Sequence, residues 1–241
     1  MIPKRLHYVW VGSKLPDKLR GFIDSWRATN PNYEIVEWNE DNIDMTLPAI
    51  ARAYARRRWA TVADIARLIA VEKYGGIYLD TDIQLRRPLD SLLRHRCFFA
   101  FQHDYHPTDW VCNGVFGAEP GHPFIRAALQ AVLRMRPAWL GLDRPTRYGP
   151  KLITRLLVND GLREYSHDGV LVNDIFVCPV HWFFPYAYGE EFREELVTPD
   201  TLGVHFWEGS WKQNVPQPIR WIQSARRALQ SAPRRPAGLR T

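Results

Sequence analysis

Several features are scarce in this chain of 241 residues, and each scarcity excludes a class of protein. Cysteine occurs three times, at widely separated positions, which fits neither a disulfide framework nor the paired spacing of a zinc site. We therefore interpret Cys97, Cys112 and Cys178 as reduced thiols of the core. No segment approaches the ~18 consecutive apolar residues of a membrane-spanning helix. Internal repeats are also missing, so a solenoid is not expected.

Acidic residues are missing from the C-terminal end of the chain. None follows Glu208, whereas arginines are frequent between positions 220 and 241 and contribute to the net charge of +6. We therefore divide the chain into an α/β domain, residues 1–219, and a basic tail, residues 220–241. Such a tail predicts contact with an anionic membrane surface or with nucleic acid, and the alternative is a solvated helix with a disordered end.

The first residues lack the features of a secretion signal. They lead directly into a strand-like run, without an apolar stretch or a small-residue cleavage site. From this absence we expect a cytoplasmic protein. The basic tail adds a peripheral position on the inner face of the membrane to that expectation.

What the sequence does contain is typical of one α/β domain. Hydrophobic residues make up 46% and aromatic residues 13%, which is enough for a large core. Strand-like and helix-like patterns alternate, and this alternation predicts a mostly parallel central sheet with covering helices. The predicted strands are residues 6–12, 33–38, 77–82, 97–102, 110–118 and 170–178. The predicted helices are residues 17–28, 48–58, 59–74, 89–95 and segments that follow Pro123 and Pro150.

The stretch of residues 74–83 carries the strongest chemical signal. A pair of glycines ends the helical pattern, and the short period-2 strand that follows them ends in acid. On a strand, Tyr78, Asp80 and Asp82 would share one face, with the two carboxylates about 6.6 Å apart. Like charges so close need a cation, and hard oxygen ligands suit Mg²⁺ or Mn²⁺ bridging to substrate phosphates. The alternative is two solvated acids in a turn.

The helix before this strand carries an acid and a base on one face. Asp64 and Arg67 are three residues apart, so their side chains are neighbours. One interpretation is a donor and acceptor pair beside the acidic strand, because the helix runs directly into that strand. The alternatives are a surface ion pair, or a capping box in which Asp64 answers Thr61 at the helix start.

Two further segments carry polar residues where packing does not require them. Asn113 and Gly114 interrupt an apolar strand, which indicates close approach by a ligand, a bulge or a hairpin turn. Residues 204–212 contain a histidine, a glutamate, a hydroxyl, two indoles and an ammonium. Such a density of functional groups is uncommon in a packing segment.

In this order and spacing, these residues resemble glycosyltransferase family 32, the Asp-Xaa-Asp sugar transferases of the capsular-polysaccharide type. A more distant resemblance is to the glucosylating domains of the large clostridial toxins. The resemblance covers most of the chain. Its landmarks are residues 2–4, His7, residues 10–12, 25–26, 30–31 and 59–60, Asp64, Arg67, residues 75–82, Asn113, Gly117, and residues 120–123, 149–150 and 205–211.

The resemblance implies a GT-A fold, a Rossmann-like α/β fold that binds a nucleotide sugar. It implies a hexosyltransferase that retains the anomeric configuration and depends on Mn²⁺ (or Mg²⁺). The expected donor is a UDP-sugar, and the expected acceptor is a glycan or glycolipid, with no nucleic acid as partner. Retention through a covalent carboxylate intermediate and retention by same-face attack both remain open, because no isolated acid is marked as a nucleophile.

The resemblance also implies roles for single residues. Trp10 would stack on the nucleotide base. The pair Asp64 and Arg67 would hold the donor sugar, with Arg67 also near the diphosphate, and Tyr78 would be a wall of the donor site. The residues implied for donor binding are Trp10, Asp64, Arg67, Tyr78, Asp80, Asn113, Ser210 and Trp211.

The implied metal ligands are Asp82, Asp80 and His205. Asp82 would bind the ion directly, Asp80 would contact the ribose and the metal shell, and Glu208 competes with His205 as a further ligand. The residues implied for catalysis are Asp64, Arg67, Asp80 and Asp82. A divalent ion, Arg67 and a donor near residue 211 would stabilise the negative charge that develops on the leaving β-phosphate.

Two other functions also fit parts of the pattern. A haloacid-dehalogenase-like phosphatase places Asp-Xaa-Asp after an apolar strand, but near the N-terminus and with a later lysine and acidic pair. Here the motif lies at residues 80–82 and no Asp-Asp pair follows. A basic polyanion-binding protein would interleave its charge with exposed aromatic residues, whereas the aromatic residues here fall mostly in predicted strands.

Overall fold

A seven-stranded mixed sheet runs through the centre of the protein. The computed structural model describes residues 1–135 and 147–209, and these belong to a compact unit, Met1–Glu208. The strands are β1 Arg5–Val9, β2 Glu34–Trp38, β3 Gly76–Leu79, β4 Ile83–Leu85, β5 Cys97–Phe101, β6 Val111–Ala118, β7 Val170–Val172, β8 Ile175–Cys178 and β9 Gly203–His205. The helices are α1 Asp17–Thr29, α2 Pro48–Ala55, α3 Trp59–Tyr74, α4 Pro123–Arg134 and α5 Pro150–Asp160. Short 3-10 turns occupy Asp90–Arg94, Val180–Trp182 and Glu194–Leu196.

The strand directions make the large sheet mostly parallel, as predicted. Its order is β2-β1-β3-β6-β5-β8-β7, and five of the strands run in the same direction while β6 and β7 run against them. Strands β4 and β9 form a separate antiparallel pair. Because β1 and β3 are parallel neighbours, the residues that follow them lie at the same edge of the sheet.

Apolar side chains cover both faces of the sheet, which explains why the strands read as nearly continuous hydrophobic runs. On one face, α1 buries Leu19, Ile23 and Trp26. On the other face, α3 and α4 bury side chains such as Ile65 and Ile125. Each large apolar side chain buried in this way stabilises the fold by roughly 1.5–3 kcal/mol.

Two glycines make the tight passage from α3 to β3. Gly75 has φ +61° and Gly76 has φ +104°, a region that L side chains rarely adopt. A Cβ on Gly75 would lie 2.6 Å from Pro120, and one on Gly76 would lie 2.7 Å from the Arg5 carbonyl. The predicted end of the helix at Gly75 is therefore confirmed. Since α3 doubles back on β3, the N-terminal half of α3 lies towards the edge where β3 ends.

Several predicted boundaries were wrong. The predicted helix 48–58 stops at Ala55, and the predicted strand 170–178 is a hairpin, β7 and β8, with Asn173 at φ +53° in its turn. Strand β6 continues through Asn113 and Gly114, although its pairing with β5 shifts there, because Phe99 pairs with Phe116 while the next residue pairs with Cys112. Of the open interpretations, the hairpin turn is therefore wrong, and the strand has a bulge or another irregularity in its pairing at this point.

Two expectations about absent features can be compared with the structure. The three cysteines are buried and free, as predicted. Among the helices of the described residues, none is long and apolar enough to cross a membrane. The basic tail, residues 220–241, lies outside the described residues, so the division of the chain at residue 219 remains a prediction.

Candidate functional site

The acidic motif lies in a turn after β3, not on the strand itself. Strand β3 ends at Leu79, and the Ile83 N–H donates to the Asp80 carbonyl at 3.1 Å, which closes the turn. The predicted shared strand face of Tyr78, Asp80 and Asp82 is therefore wrong for the two acids. The turn leads directly into β4, so it is anchored on both sides.

Pairing of β4 with β9 brings a histidine to this turn. Ile83 lies opposite His205 in the ladder, and His205 Nε2 lies 3.4 Å from Asp82 Oδ1 and 3.8 Å from Asp80 Oδ2. Each of the three residues offers one ligand atom, and these atoms lie within 4.8 Å of one another. Two carboxylate oxygens and an imidazole at this separation could hold a divalent cation.

The backbone after β9 fixes the orientation of these groups. Trp207 has φ +54°, and its N–H lies 3.3 Å from His205 Nδ1, while the Glu208 N–H donates to Asp82 Oδ2 at 2.9 Å. The proton of a neutral His205 is therefore on Nε2. Binding of a metal through Nε2 requires that proton to leave and the long Trp207 contact to shift. The Glu208 side chain instead pairs with Lys18 at 2.6 Å, outside the three-residue cluster.

Arg67 contacts both Asp64 in α3 and Asp80 in the acidic turn. Its NH2 group lies 3.5 Å from Asp64 Oδ1 and 3.3 Å from Asp80 Oδ1. Its Nε and NH1 groups donate to the carbonyls of Ala63 and Asn113 at 3.1 and 2.7 Å. Hydrogen bonds therefore occupy two of the five guanidinium N–H groups, and the NH2 group faces the two carboxylates. The side chains of Arg67 and Asp64 are each only 7% exposed, so the surface ion pair considered above is wrong.

Asp64 is held by an amide as well as by Arg67. Asn113 Nδ2 donates to Asp64 Oδ1 at 2.8 Å, and among the described residues no hydrogen bond reaches the other carboxylate oxygen. Burial raises the pKa of Asp64 to about 6, against the opposing effects of Arg67 and Asn113. Helix α3 has no side-chain cap and its N-cap residue is Arg58, so the predicted capping box with Thr61 is not formed.

Asp80 has a well-defined environment. The Tyr78 hydroxyl donates to its Oδ1 at 2.9 Å, and its own N–H donates to the Gly114 carbonyl at 2.7 Å. Burial acts to raise the pKa of Asp80, but the charge of Arg67 and the contacts with His205 and Tyr78 outweigh it, so the pKa lies below its usual value. Asp80 is therefore ionised at neutral pH.

The charges of the cluster do not balance without a cation. Burial raises the pKa of Asp82, opposed by His205 and assisted by Asp80. Burial acts to lower the pKa of His205, but the two carboxylates outweigh it and raise the pKa. Three carboxylates oppose one guanidinium, and a protonated His205 would still leave one negative charge. A divalent ion bound to the two aspartates and a neutral His205 would balance the two negative charges that then remain, so the residues present fit such an ion.

Comparisons with known proteins identify the class of site. The family described as "Glycosyltransferase sugar-binding region containing DXD motif" matches residues 16–99, a span that includes α3 and the acidic turn. An uncharacterized glycosyltransferase of Acanthamoeba polyphaga mimivirus is 31% identical over 224 residues, which cover 89% of this chain and 86% of that protein. The chain belongs to this family of glycosyltransferases. The phosphatase hypothesis is therefore wrong, and the resemblance to Asp-Xaa-Asp sugar transferases is confirmed.

Two further comparisons bear on the length and fold of this glycosyltransferase. Inositol phosphoceramide mannosyltransferase 3 of Schizosaccharomyces pombe (strain 972 / ATCC 24843) is 33% identical over 217 residues, which cover 86% of the present chain. The present chain spans 60% of that relative's length. The solved PaToxG glycosyltransferase superposes on the present chain with a TM-score of 0.53 at 19% sequence identity. The superposition covers 66% of the present chain and 70% of the PaToxG chain. This likeness concerns the fold alone, and the expected GT-A fold is confirmed.

The structure brings seven of the predicted site residues of this glycosyltransferase into one contact network. They are Asp64, Arg67, Tyr78, Asp80, Asp82, Asn113 and His205. Tyr78 is buried, and its ring lies 4.4 Å from the Arg67 guanidinium, so it supports the network from within. Its role as a donor-site wall remains a prediction, as do the individual roles of the other residues.

Trp10 lies apart from this network. It follows β1 at the same sheet edge, and its indole N–H donates to the Ser13 carbonyl at 2.8 Å. Within the described part of the enzyme, no hydrogen bond or ring contact joins Trp10 to the acidic turn. Ser210 and Trp211 lie outside the described residues, so their predicted contacts with phosphate remain predictions.

Two glycines that shape the site were not assigned to it from the sequence. A Cβ on Gly114 would lie 2.5 Å from Asp80 Oδ2, and one on Gly149 would lie 2.7 Å from the Asn113 amide. One interpretation of the sequence was that a ligand approaches the backbone closely at Gly114. In the structure the group close to Gly114 is the Asp80 carboxylate. For Gly149 only its place before a helix and in the family pattern was available, and neither signal points to Asn113.

Proposed function

We propose that this enzyme transfers a sugar from a nucleotide sugar to a glycan or glycolipid, with retention at the anomeric carbon and with Mn²⁺ (or Mg²⁺) as cofactor. A UDP-sugar is the proposed donor. The observation that carries the proposal is the convergence of Asp80, Asp82 and His205, whose ligand atoms lie within 4.8 Å of one another. An ion that binds there can also bridge to a diphosphate, which is how hard cations commonly bind phosphorylated substrates.

The protein residues would act mainly by orientation and electrostatics. Asp64 offers one free carboxylate oxygen, which suits hydroxyl groups of the donor sugar. Arg67 holds Asp64 and Asp80 in place and adds a buried positive charge near the leaving diphosphate. A bound divalent ion would supply Lewis-acid stabilisation of the charge on the β-phosphate. Because Arg67 contacts Asp64, Asp80 and two backbone carbonyls, we assign it a positioning role first.

The direct test is a thermal-shift panel of UDP- and GDP-sugars with and without Mn²⁺. Ligand at ~100 times its dissociation constant adds about 2.7 kcal/mol of stability. For a domain of this size we expect a rise in Tm of roughly 5–10 °C. The rise should need both the metal and one nucleotide class, and it should disappear in Asp82→Asn. GDP-sugars belong in the panel because one relative is named a mannosyltransferase.

The matched control is Asp17→Asn, which removes an acid whose side chain is 96% exposed. This variant should keep the wild-type shift. A wild-type protein that shows no shift with any nucleotide sugar would contradict the proposal. For retention, the anomeric configuration of the product measured by NMR decides, and an inverted product would overturn that part alone.

Location and membrane contact are a separate part of the proposal. A basic tail suits acceptors presented at the inner face of a membrane, because each arginine near an anionic leaflet adds about 1 kcal/mol of attraction. Removal of residues 220–241 should therefore weaken sedimentation of the protein with anionic vesicles. Unchanged sedimentation would count against the tail as a membrane contact.

A further inference from the structure

Exposed arginines cluster at the corner between α2 and α3. Arg52 lies in α2, and Arg56 and Arg57 follow its last residue. We name these three residues the arginine corner. All three are exposed, and within residues 1–135 and 147–209 no acidic side chain lies at ion-pair distance from any of them. The corner therefore presents uncompensated positive charge.

Many other arginines of the enzyme are compensated. Arg5 lies 2.6 Å from Glu34, Arg126 lies 3.1 Å from Glu72, and Arg96 is paired with acids of two different elements. These pairs are what an ordinary solvated surface shows. The arginine corner differs because its positive charges are consecutive or one helical turn apart and none of them is paired.

The backbone gives no reason for an arginine at position 57. Arg57 has φ +53°, and its N–H donates to the Tyr54 carbonyl at 2.8 Å while the next N–H donates to the Ala53 carbonyl at 2.9 Å. This pair of bonds is the Schellman arrangement, in which the left-handed position is usually glycine. A charged side chain at this position therefore contributes something other than backbone geometry.

The corner adjoins the catalytic site through α3. A recess of about 30 Å³ beside it is lined by Arg52 and Arg56 from the α2 side and by Thr61 from α3. Thr61 and Asp64 are three residues apart, so they lie on the same side of the helix about 4.5 Å apart along its axis. The recess can take one small group, such as a phosphate oxygen, but not a sugar ring.

We propose that the arginine corner binds a phosphate group carried by the acceptor substrate. Guanidinium groups bind phosphate through two parallel hydrogen bonds, and Arg52 and Arg56 both line the recess while Arg57 is the next residue along the chain. The start of α3 is adjacent, and the positive end of its dipole adds to the potential. This inference rests on the proposed function, since the corner lies beside Asp64. The phosphate can belong to a lipid headgroup or to a soluble phosphorylated molecule.

The test compares two variants of the full chain that each lose three charges. The first carries Arg52→Gln, Arg56→Gln and Arg57→Gln, and the matched control carries Arg94→Gln, Arg155→Gln and Arg193→Gln, all at exposed positions. Binding is measured to phosphatidylcholine vesicles with and without phosphatidylinositol, and to inorganic phosphate in solution. The corner variant should lose affinity for the vesicles that contain phosphatidylinositol on the order of 100-fold relative to the control.

The two binding measurements distinguish the source of the phosphate. Corner-dependent binding to vesicles alone indicates a lipid headgroup, and corner-dependent binding to inorganic phosphate as well indicates the phosphate group itself. Equal binding by both variants, or no binding by the wild type in either assay, would overturn the inference. The nucleotide-sugar thermal shift is recorded for every variant. Absence of this shift in the wild type would refute the proposed function. A normal shift in the corner variant would show that the donor site is intact and that only phosphate binding has changed.

A single substitution separates binding from folding. Arg57→Gly places the preferred residue at the left-handed position, so Tm should rise by about 2–4 °C. Affinity for phosphatidylinositol vesicles should fall about fivefold, because one charge is lost. A merely structural arginine would show no fall in affinity. Unchanged vesicle binding by this variant would argue against a contribution of Arg57.

Discussion

Two polar clusters of this glycosyltransferase differ in what satisfies them. At His7, Nε2 bonds the Gly75 carbonyl at 2.8 Å and Nδ1 accepts the Trp38 indole N–H at 3.0 Å. The cluster is neutral and complete, and it joins β1, β2 and the end of α3. The cluster around Asp80 is partly exposed and holds three carboxyl groups against one guanidinium and one imidazole. Polar groups that protein atoms satisfy stabilise a fold, whereas carboxylates in excess of their cationic partners favour the binding of a further cation.

Removal of the buried Arg67 guanidinium should give the largest effect on stability. Arg67→Met leaves Asp64 and Asp80 without their shared positive partner, so we expect a loss of about 3–5 kcal/mol in the free energy of unfolding. Urea unfolding measures it. The matched control is Arg126→Met, which breaks an exposed pair with Glu72 and should cost about 0–1 kcal/mol. Equal losses of unfolding free energy in the two variants would contradict the expected difference between a buried and a surface ion pair.

Acid should destabilise the neutral cluster at His7. Burial lowers the pKa of His7 to about 4, against the hydrogen bond to the Gly75 carbonyl, which raises it. The unfolded chain takes up this proton near pH 6.5 but the folded protein does not until about pH 4. The contribution to stability is therefore complete above pH 6.5 and is lost as the pH falls towards 4, by about 3 kcal/mol.

His7→Gln tests this pH dependence, because glutamine can keep both hydrogen bonds and does not titrate. Unfolding free energies of the variant should fall less steeply between pH 6.5 and 4 than those of the wild type. All other titrating groups are the same in the two proteins, so their effects cancel in the comparison. Identical slopes would show that His7 does not take up the proton as described.

A methyl group at Gly114 should disturb the charged cluster by a smaller amount. Its Cβ would meet Asp80 Oδ2, so Gly114→Ala should cost about 1–3 kcal/mol and weaken the Mn²⁺-dependent thermal shift. The control is Gly21→Ala in α1, where a Cβ meets nothing within 4 Å. That variant should gain about 0.5–1 kcal/mol and keep the shift. A full metal response in Gly114→Ala would mean that Asp80 can move without consequence.

Local sequence patterns predicted the parts of the site that are close along the chain. The helix of residues 59–74 has the predicted bounds, and Asp64, Arg67 and the acidic motif follow from its periodicity and its glycine end. The resemblance to a family added His205, whose position depends on the pairing of β4 with β9. No local pattern specifies a contact between strands so far apart in the sequence, and burial of Asp64 and Arg67 depends on the same tertiary packing. For that reason the surface ion pair remained open until the structure was known.

The pairing of β4 with β9 has a consequence for the order of unfolding. Asp82 precedes the first of these strands and His205 ends the second, so an ion bound by both would connect two segments separated by about half of the chain. A cross-link that closes a long loop restricts the unfolded chain more than one that closes a short loop. It therefore stabilises the folded protein more. The ion would then stabilise the fold as a structural cross-link as well as serve as a cofactor. The strand that carries His205 would be the first to detach when the ion leaves.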